Sequence, residues 1–589
     1  MSIELHERPT KYKVELVDVV LDVCKWSFGS APCAAAIGSG GVTARCYNTY
    51  STCPAKASYS QLYGGRTYRF ARADGPLLPG VEAHRIIESI TPVPGSGIDE
   101  AAGLGGIGKV TIKLRDFLDT VDVPDPYRTL REVREGPFLA KLEARNAYYQ
   151  GRPVLVYTGF LDPDGTLNIG GMRIQRYVLE DIKFGAKGEV TITAKEPQKL
   201  LDRAMLPVPT SAELAADMTA GDLSFTLRSG HSITETADFW VKIDDEIMKV
   251  GARTGDACTG LTRQYTGTGT VAAAHDADTK VQVGYVGEGV RIDAAVVAAL
   301  TSSGIDPSLI DSATFATTVA RWLTNHYYTW FYFDPKPAMK RVVDFLRAGS
   351  AFGFWDSEAQ VFRFDVMHPR TPDQDVSTFT ATGNLTSRPV EVTRLQERQK
   401  TRCLILYALR DWSKDPEAEE TQANEYQRIQ GHLDLGAESA NARNAVLPEV
   451  IIAPFCPATM QAELQSMAFR FVNRNVIPPR SVKFGLEARD GHELRPGTLV
   501  EIECPELIDE SGAQVATECL IAQKTPAKDG GCEHEVRAET TGLEDLWAFY
   551  NDNSGVPAFS TATAEQRRKA FYATAAGFNT DGSKPYRYI

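Results

Sequence analysis

The chain has 589 residues, too many for one hydrophobic core, and a typical domain length of ~150 residues places about four units in it. With 43% hydrophobic and 24% charged residues it is not a disordered chain, and it has no run of ~18 apolar residues that could span a membrane. The 63 basic residues against 76 acidic ones give −13, which argues against a grip on nucleic acid but not against DNA sliding past an acidic wall.

The opening MSIELHERPTKYKVE is charged and has no apolar signal core, so the expectation is a protein made and kept in the cytosol. Residues 1–80 are rich in Cys, Gly and Tyr and end in a strand-like run, Thr67 to Ala71. Residues 81–210 form a β domain: Val110, Ile112 and Leu114 alternate with polar residues, as do Val190, Ile192 and Ala194. Residues 211–286 turn Thr-, Ala-, Gly- and Asp-rich around VKIDDEIMKV. They predict a small inserted β module that projects outward and can be deleted. Helices return over 287–370, where Pro337 can open a helix with the stripe Met339, Val342, Val343 and Leu346, before the strand QVFRFDV.

Residues 371–545 predict a second β-barrel domain. DWSKDPEAEETQANEYQR is a solvated face or loop within it, and Met460, Leu464, Met467 and Phe471 mark a helix that Pro478 and Pro479 stop. A meander follows: SVKFGLEARD, TLVEIECPEL, TECLIAQKT and HEVRAETTG. Residues 546–589 are a polar extension with a short helix near TAEQRRKAF. The fold class is mostly β with some α, a multi-domain α+β protein.

Four of the ten cysteines, Cys24, Cys33, Cys46 and Cys53, fall within thirty residues as Cys-x8-Cys-x12-Cys-x6-Cys. Four thiolates so close can hold zinc or the corners of an iron–sulfur cube. Zinc sites favour tight Cys-x2–4-Cys knuckles, and these wider spacings suit a larger object, so a [4Fe–4S] cluster is preferred. Zinc and unligated or disulfide-paired thiols are the alternatives. Trp26, Tyr47 and Tyr50 can shield such a site or be plain core. Cys258, Cys403, Cys456, Cys504, Cys519 and Cys532 are scattered and read as small buried hydrophobes.

A GxGxxG match at Gly103, Gly105 and Gly108 precedes the strand VTIKLRD rather than opening a helix. It is therefore a β-connection and not a dinucleotide site. Nucleophile, metalloprotease and paired-acid patterns are lacking. The adjacent acids Asp244–Asp245 and Glu419–Glu420 stand far from any catalytic partner in sequence, and His275 reads as the cap of a Gly/Thr turn.

The cysteine block with its string CYNTYSTC resembles that of siphophage and gene-transfer-agent tail-tip proteins, including the iron–sulfur tail-tip proteins of lambda-type phages. KVTIKLRDF, DPYRTLREVREGPFLAKLEARNAYYQGRPVLVYTGF and VTITAKEPQKLLDRAMLPVP resemble the hub domains of the same proteins. So do PKPAMKRVVDFLRAGSAFGFWDSEAQVFRFDV and SVKFGLEARDGHELRPGTLVEIECPEL, while LTRQYTGTGTVAAAHDA resembles the end of a module inserted in many tail proteins.

The resemblance implies a structural baseplate hub, not an enzyme. It would be a homotrimeric ring of hub-type β-barrels around the DNA channel of a long non-contractile tail. Cys24, Cys33, Cys46 and Cys53 would ligate a structural [4Fe–4S] cluster. The implied partners are a distal tail ring protein, a tape-measure protein and a central tip or fibre protein, with DNA passing the lumen unbound. The implied location is the virion, after assembly in the host cytoplasm. Only 23 residues precede Cys24, so the tube domain that precedes this block in many relatives is expected on a separate chain. A receptor- or glycan-binding tip protein and a tail-associated cell-wall hydrolase are the competing functions.

Overall fold

Strand β1, Lys13–Leu21, is apolar on both faces. Val17, Val19 and Leu21 point into one core while Val14 and Leu16 join a second, so this strand must be covered on both sides. In the computed structural model it pairs antiparallel with β2 (Arg66–Arg72) on one edge and with β5 (Pro153–Phe160) on the other, which closes a barrel. The barrel order is β1-β2-β3-β4-β7-β6-β5, with β3 His84–Val93, β4 Lys109–Arg115, β6 Arg173–Phe184 and β7 Glu189–Lys195. The residues described are 12–33 and 46–542, apart from 94, 96–97, 99–102, 121–134, 163, 324, 358, 369–375, 387–388, 417–422, 442–445, 492–493, 510 and 526–532.

The two predicted alternating strands lie side by side, with Ile112 opposite Ile192, and their apolar residues fill the barrel. Helix α1, Phe138–Arg145, packs Phe138, Leu139 and Leu142 against that interior. Its first turn lacks a capping side chain of its own; Asp116, just past β4, accepts hydrogen bonds from Leu139 N (2.9 Å) and Ala140 N (3.3 Å) instead. The boundary expected at residue 80 is thereby corrected: β1 and β2 belong to the barrel, and the cysteine block is an excursion between them.

The Gly-rich match is a β-connection, as its context implied. Gly103 has φ +72°, a left-handed conformation that suits glycine. At Gly108 a Cβ would stand 2.5 Å from Glu196 Oε1, because this buried carboxylate accepts a hydrogen bond from Gly108 N at 2.7 Å.

Residues 212–283 form a six-stranded sheet with its own core, including Phe225, Val241, Met248 and Val281. The ends of this module are adjacent, since Thr210 Oγ1 donates to the Val281 carbonyl at 2.8 Å. It does not simply project. Trp240 packs edge-on against Phe331 (5.2 Å) and Tyr265 (4.7 Å), Trp412 N donates to Thr268 O (2.8 Å), and Lys242 Nζ donates to Ser413 O (2.6 Å). Trp412, expected in a solvated loop, is buried against Phe331 and Tyr332.

The largest core is made by helices Ile292–Ser302, Ser312–Trp322, Ala338–Arg347 and Gln461–Asn475 with strands Tyr327–Tyr332 and Arg402–Leu409. At its centre Tyr328, Trp330, Phe345 and Phe455 meet with ring centres 4.8–4.9 Å apart in three of the pairs. Pro337 precedes the helix predicted after it.

The second barrel expected over 371–545 is corrected too. Residues 402–475 join the central core, and the remainder forms a six-stranded sheet rather than a closed barrel. Its order is Ser377–Thr380, Leu499–Glu503, Thr517–Thr525, Glu533–Thr540, Arg480–Glu487 and Glu391–Arg394. Glu419–Glu420, Cys532 and the extension at 546–589 lie outside the described residues. No helix among the described residues is long and apolar enough to cross a membrane.

Three outcomes follow from this packing. Burial pushes the Glu196 carboxyl up to about 7 from 4.5, against the lowering bond from Gly108. The folded state thus binds that proton more tightly than the unfolded chain. Its contribution, at most about 3 kcal/mol, is complete below the unfolded value and is lost as pH rises through about 7. Glu196→Gln should flatten the fall in Tm between about pH 5 and pH 8, measured by calorimetry; an unchanged slope would refute the assignment. Trp240→Ala should cost about 3 kcal/mol through the cavity left against Phe331, and denaturant titration followed by aromatic fluorescence would detect it. Removing 211–286 outright should lower solubility, because Phe331 and Trp412 lose their cover.

Candidate metal centre

The excursion between β1 and β2 holds its shape largely through polar ties, with a small apolar cluster of Phe28, Cys46 and Cys33. Cys24 N donates to Asn48 O (2.6 Å), Lys25 N to Ser60 O (2.8 Å) and Leu62 N to Val23 O (2.7 Å), so both ends of the excursion run together as it leaves the barrel. Asn48 adopts φ 62°, which Asn tolerates better than most residues, and its Nδ2 donates to Trp26 O at 3.3 Å. Thr49 and Ser51 hydroxyls both donate to the Arg145 carbonyl at 2.5 Å, which anchors the block on the C-terminal end of α1. The Arg145 guanidinium also lies 4.1 Å from the Tyr47 ring centre. At the base Asp22 pairs with Arg152 and accepts from Gln61 Nε2 at 2.6 Å.

Within this frame Cys24, Cys33, Cys46 and Cys53 line one small pocket that is partly open to solvent. Cys46 is buried and the other three are half-buried. Trp26, Phe28, Asn48, Thr49, Ser58 and Tyr59 complete the wall. Of the three aromatics expected to shield the site, Trp26 does so. Tyr50 instead stacks edge-on against Tyr59 at 5.3 Å, and Tyr47 sits under Arg145. Phe28 and Tyr59 escaped the sequence analysis; closeness to the cysteines was the one signal that could have pointed to them.

The Tyr59 hydroxyl is buried and lacks a hydrogen-bond partner among the described residues. Burial, followed by Asp22 and Cys24, pushes its ionisation up to about 12, so it is a protonated donor. Among the described residues no three His, Cys, Asp or Glu side chains converge closely enough to hold a bare metal ion. Cys258, Cys403, Cys456, Cys504 and Cys519 are buried elsewhere, and burial pushes Cys258 up to about 11 and Cys403 up to about 12, which makes those two poor nucleophiles.

His275 does not cap a turn, and Asp244 is not remote from it. Its Nδ1 lies 2.7 Å from Asp244 Oδ2 and its Nε2 lies 3.0 Å from Glu246 Oε2. Glu246 also receives Arg263 Nε at 2.7 Å and Ala273 N at 3.0 Å. Burial would raise Glu246, but the Arg263, Ala273 and His275 bonds overcome it and leave it lowered. Both ring nitrogens are engaged and the His275 and Glu246 side chains are each 1% exposed, so this is a structural network with no room for a substrate.

No protein-family model and no curated protein sequence matches the chain. Among solved structures it is similar to a tail protein from Neisseria meningitidis, with 11% identity, 79% of this chain and 95% of that one covered, and a TM-score of 0.35. The 43 kDa tail protein of prophage MuSo2 from Shewanella oneidensis gives 9% identity, 77% and 96% coverage and a TM-score of 0.35. A chain of a native gene transfer agent virion gives 14% identity, 42% and 47% coverage and a TM-score of 0.28.

Proposed function

We propose that the chain is a structural, non-enzymatic hub subunit at the tail tip of a long-tailed phage or gene-transfer agent, and that its cysteine block holds a [4Fe–4S] cluster. The observation that carries this is the convergence of Cys24, Cys33, Cys46 and Cys53 on one cavity, borne by a polar excursion of a closed barrel. It supports the four-ligand set implied by the resemblance to tail-tip proteins. One zinc ion needs all its sulfurs about 2.3 Å from a single point, whereas these ring a cavity, which favours the larger group. The unpartnered Tyr59 hydroxyl beside acceptor sulfurs fits the same group. When bound, the cluster supplies a covalent cross-link between loops that have little core of their own.

Assembly with further copies of this chain, three of them by the resemblance to tail-tip hubs, draws on a second feature. The sheet Tyr426–Leu433, Arg402–Leu409 and Pro448–Ala453 turns one face to helix Gln461–Asn475. On the other face Ile429, Leu433, Val450 and Ile452 are 56%, 42%, 48% and 41% exposed. A contiguous aliphatic face on a folded chain marks a contact surface, and a second copy of this chain is its proposed occupant. The acidic charge suits a channel through which DNA passes unbound, and the proposed neighbours of the chain are a distal tail ring protein, a tape-measure protein and a central tip or fibre protein.

Full-length protein prepared anaerobically with iron and sulfide should carry equal amounts of iron and acid-labile sulfide and a visible absorption band. Cys24→Ser should abolish the band and lower the protection of residues 46–65 in hydrogen exchange while leaving 480–540 protected. A colourless wild type would refute the cluster. Native mass spectrometry should show trimers, and Ile429→Glu with Val450→Glu should yield monomers of unchanged Tm. A wild type that stays monomeric, or a trimeric variant, would refute this contact.

A further inference from the structure

We infer that Tyr59 is a positioning residue of the metal centre, its O–H donating a hydrogen bond to a sulfur that faces the cavity. This rests on the cluster proposed above. A buried hydroxyl with no acceptor costs about 1–3 kcal/mol, and the Tyr59 hydroxyl is such a group among the described residues. Its place is fixed: the backbone N of Tyr59 donates to Lys56 O (3.1 Å) at the end of a short 3-10 turn, and the Tyr50 ring holds the Tyr59 ring edge-on at 5.3 Å. Tyr59 lines the same cavity as all four thiols, and the bridge between Cys24 and Gln61, with Lys25 N donating to Ser60 O at 2.8 Å, runs the chain after Tyr59 alongside Cys24. Sulfur carries the negative charge of a thiolate-bound cluster, so it is the acceptor this donor lacks.

An O–H···S bond of this kind withdraws electron density from the centre and stabilises its reduced state. It also fixes the loop Pro54–Gln61 against the ligands that precede it. The bond contributes nothing to the barrel, whose strands are complete without it.

The test compares full-length wild type and Tyr59→Phe after anaerobic reconstitution with iron and sulfide. Both should bind the same amount of iron, and the variant should show a more negative reduction potential and faster bleaching by a chelator. The reduced wild type should show a proton coupling to the cluster that exchanges in D2O and is lost in Y59F. Equal iron, equal potential and an identical exchangeable coupling would overturn this inference and leave the cluster standing. A wild type without iron would overturn the cluster and this inference together. Should Y59F fail to hold iron, the wild type decides alone, because a reduced cluster without an exchangeable coupled proton is incompatible with the bond.

Discussion

Strand β1 is hydrogen-bonded along both edges, to β2 and to β5, and the rest of the N-terminal half depends on that double pairing. Without it the barrel opens, and Val17, Val19 and Leu21 lose their enclosure on one face while Val14 and Leu16 lose theirs on the other. The strand also carries Asp18, buried at 2% exposure and paired with Arg69 by two bonds of 2.7 Å across the β1–β2 register. A buried charge must keep its partner, so this pair pins one register of β1 against β2. With the register fixed, the residues that leave β1 and return at β2 start and finish at adjacent points. The cysteine block is therefore a closed loop system on a rigid base, suited to a centre that needs four ligands held at once.

Glycine and aromatic side chains organise the central core in the same spirit. Trp330 lies over Gly287, where a Cβ would stand within 2.8 Å of the indole, and Phe364 lies over Gly353 at 2.6 Å. These close approaches let two-stranded ribbons accept large rings that their partner strands could not otherwise admit. The inserted sheet then seats Trp240 on Phe331 from outside, so the module is continuous with the core in packing although its own sheet is separate. Insertion with adjacent ends and a docked face are compatible: the first lets the module be added without breaking the host, and the second makes the host reliant on it.

Much of the strand and helix pattern was legible. The alternation at Val110–Leu114 and Val190–Ala194 and the helix through Leu464 and Met467 appear where their periodicity places them, and the four C-terminal strands form, but the first of them, Arg480–Glu487, pairs with the last rather than continuing a meander. The gathering of four cysteines was legible from their density alone. Trp412 was not, because one tryptophan among charges carries no periodic signal and becomes buried only when Thr268 and Phe331 come to it. The partners of His275 were hidden for the same reason. Asp244 and Glu246 lie 31 and 29 positions away and meet the ring only through the hairpin and the sheet.

The sequence by itself determined the β-rich class, the acidic surface charge, the identity of the four candidate ligands and the connection role of the Gly-rich stretch. Each of these depends on residue type or on spacing within one element. Tertiary structure alone decided that β1 and β2 belong to the barrel, that 402–475 serves the central core, that Tyr59 rather than Tyr50 faces the cysteines, and that the Ile429–Val450 face is left uncovered. These depend on pairing between segments far apart in the chain, and strand pairing is set by which apolar faces can be buried together. No local pattern records that.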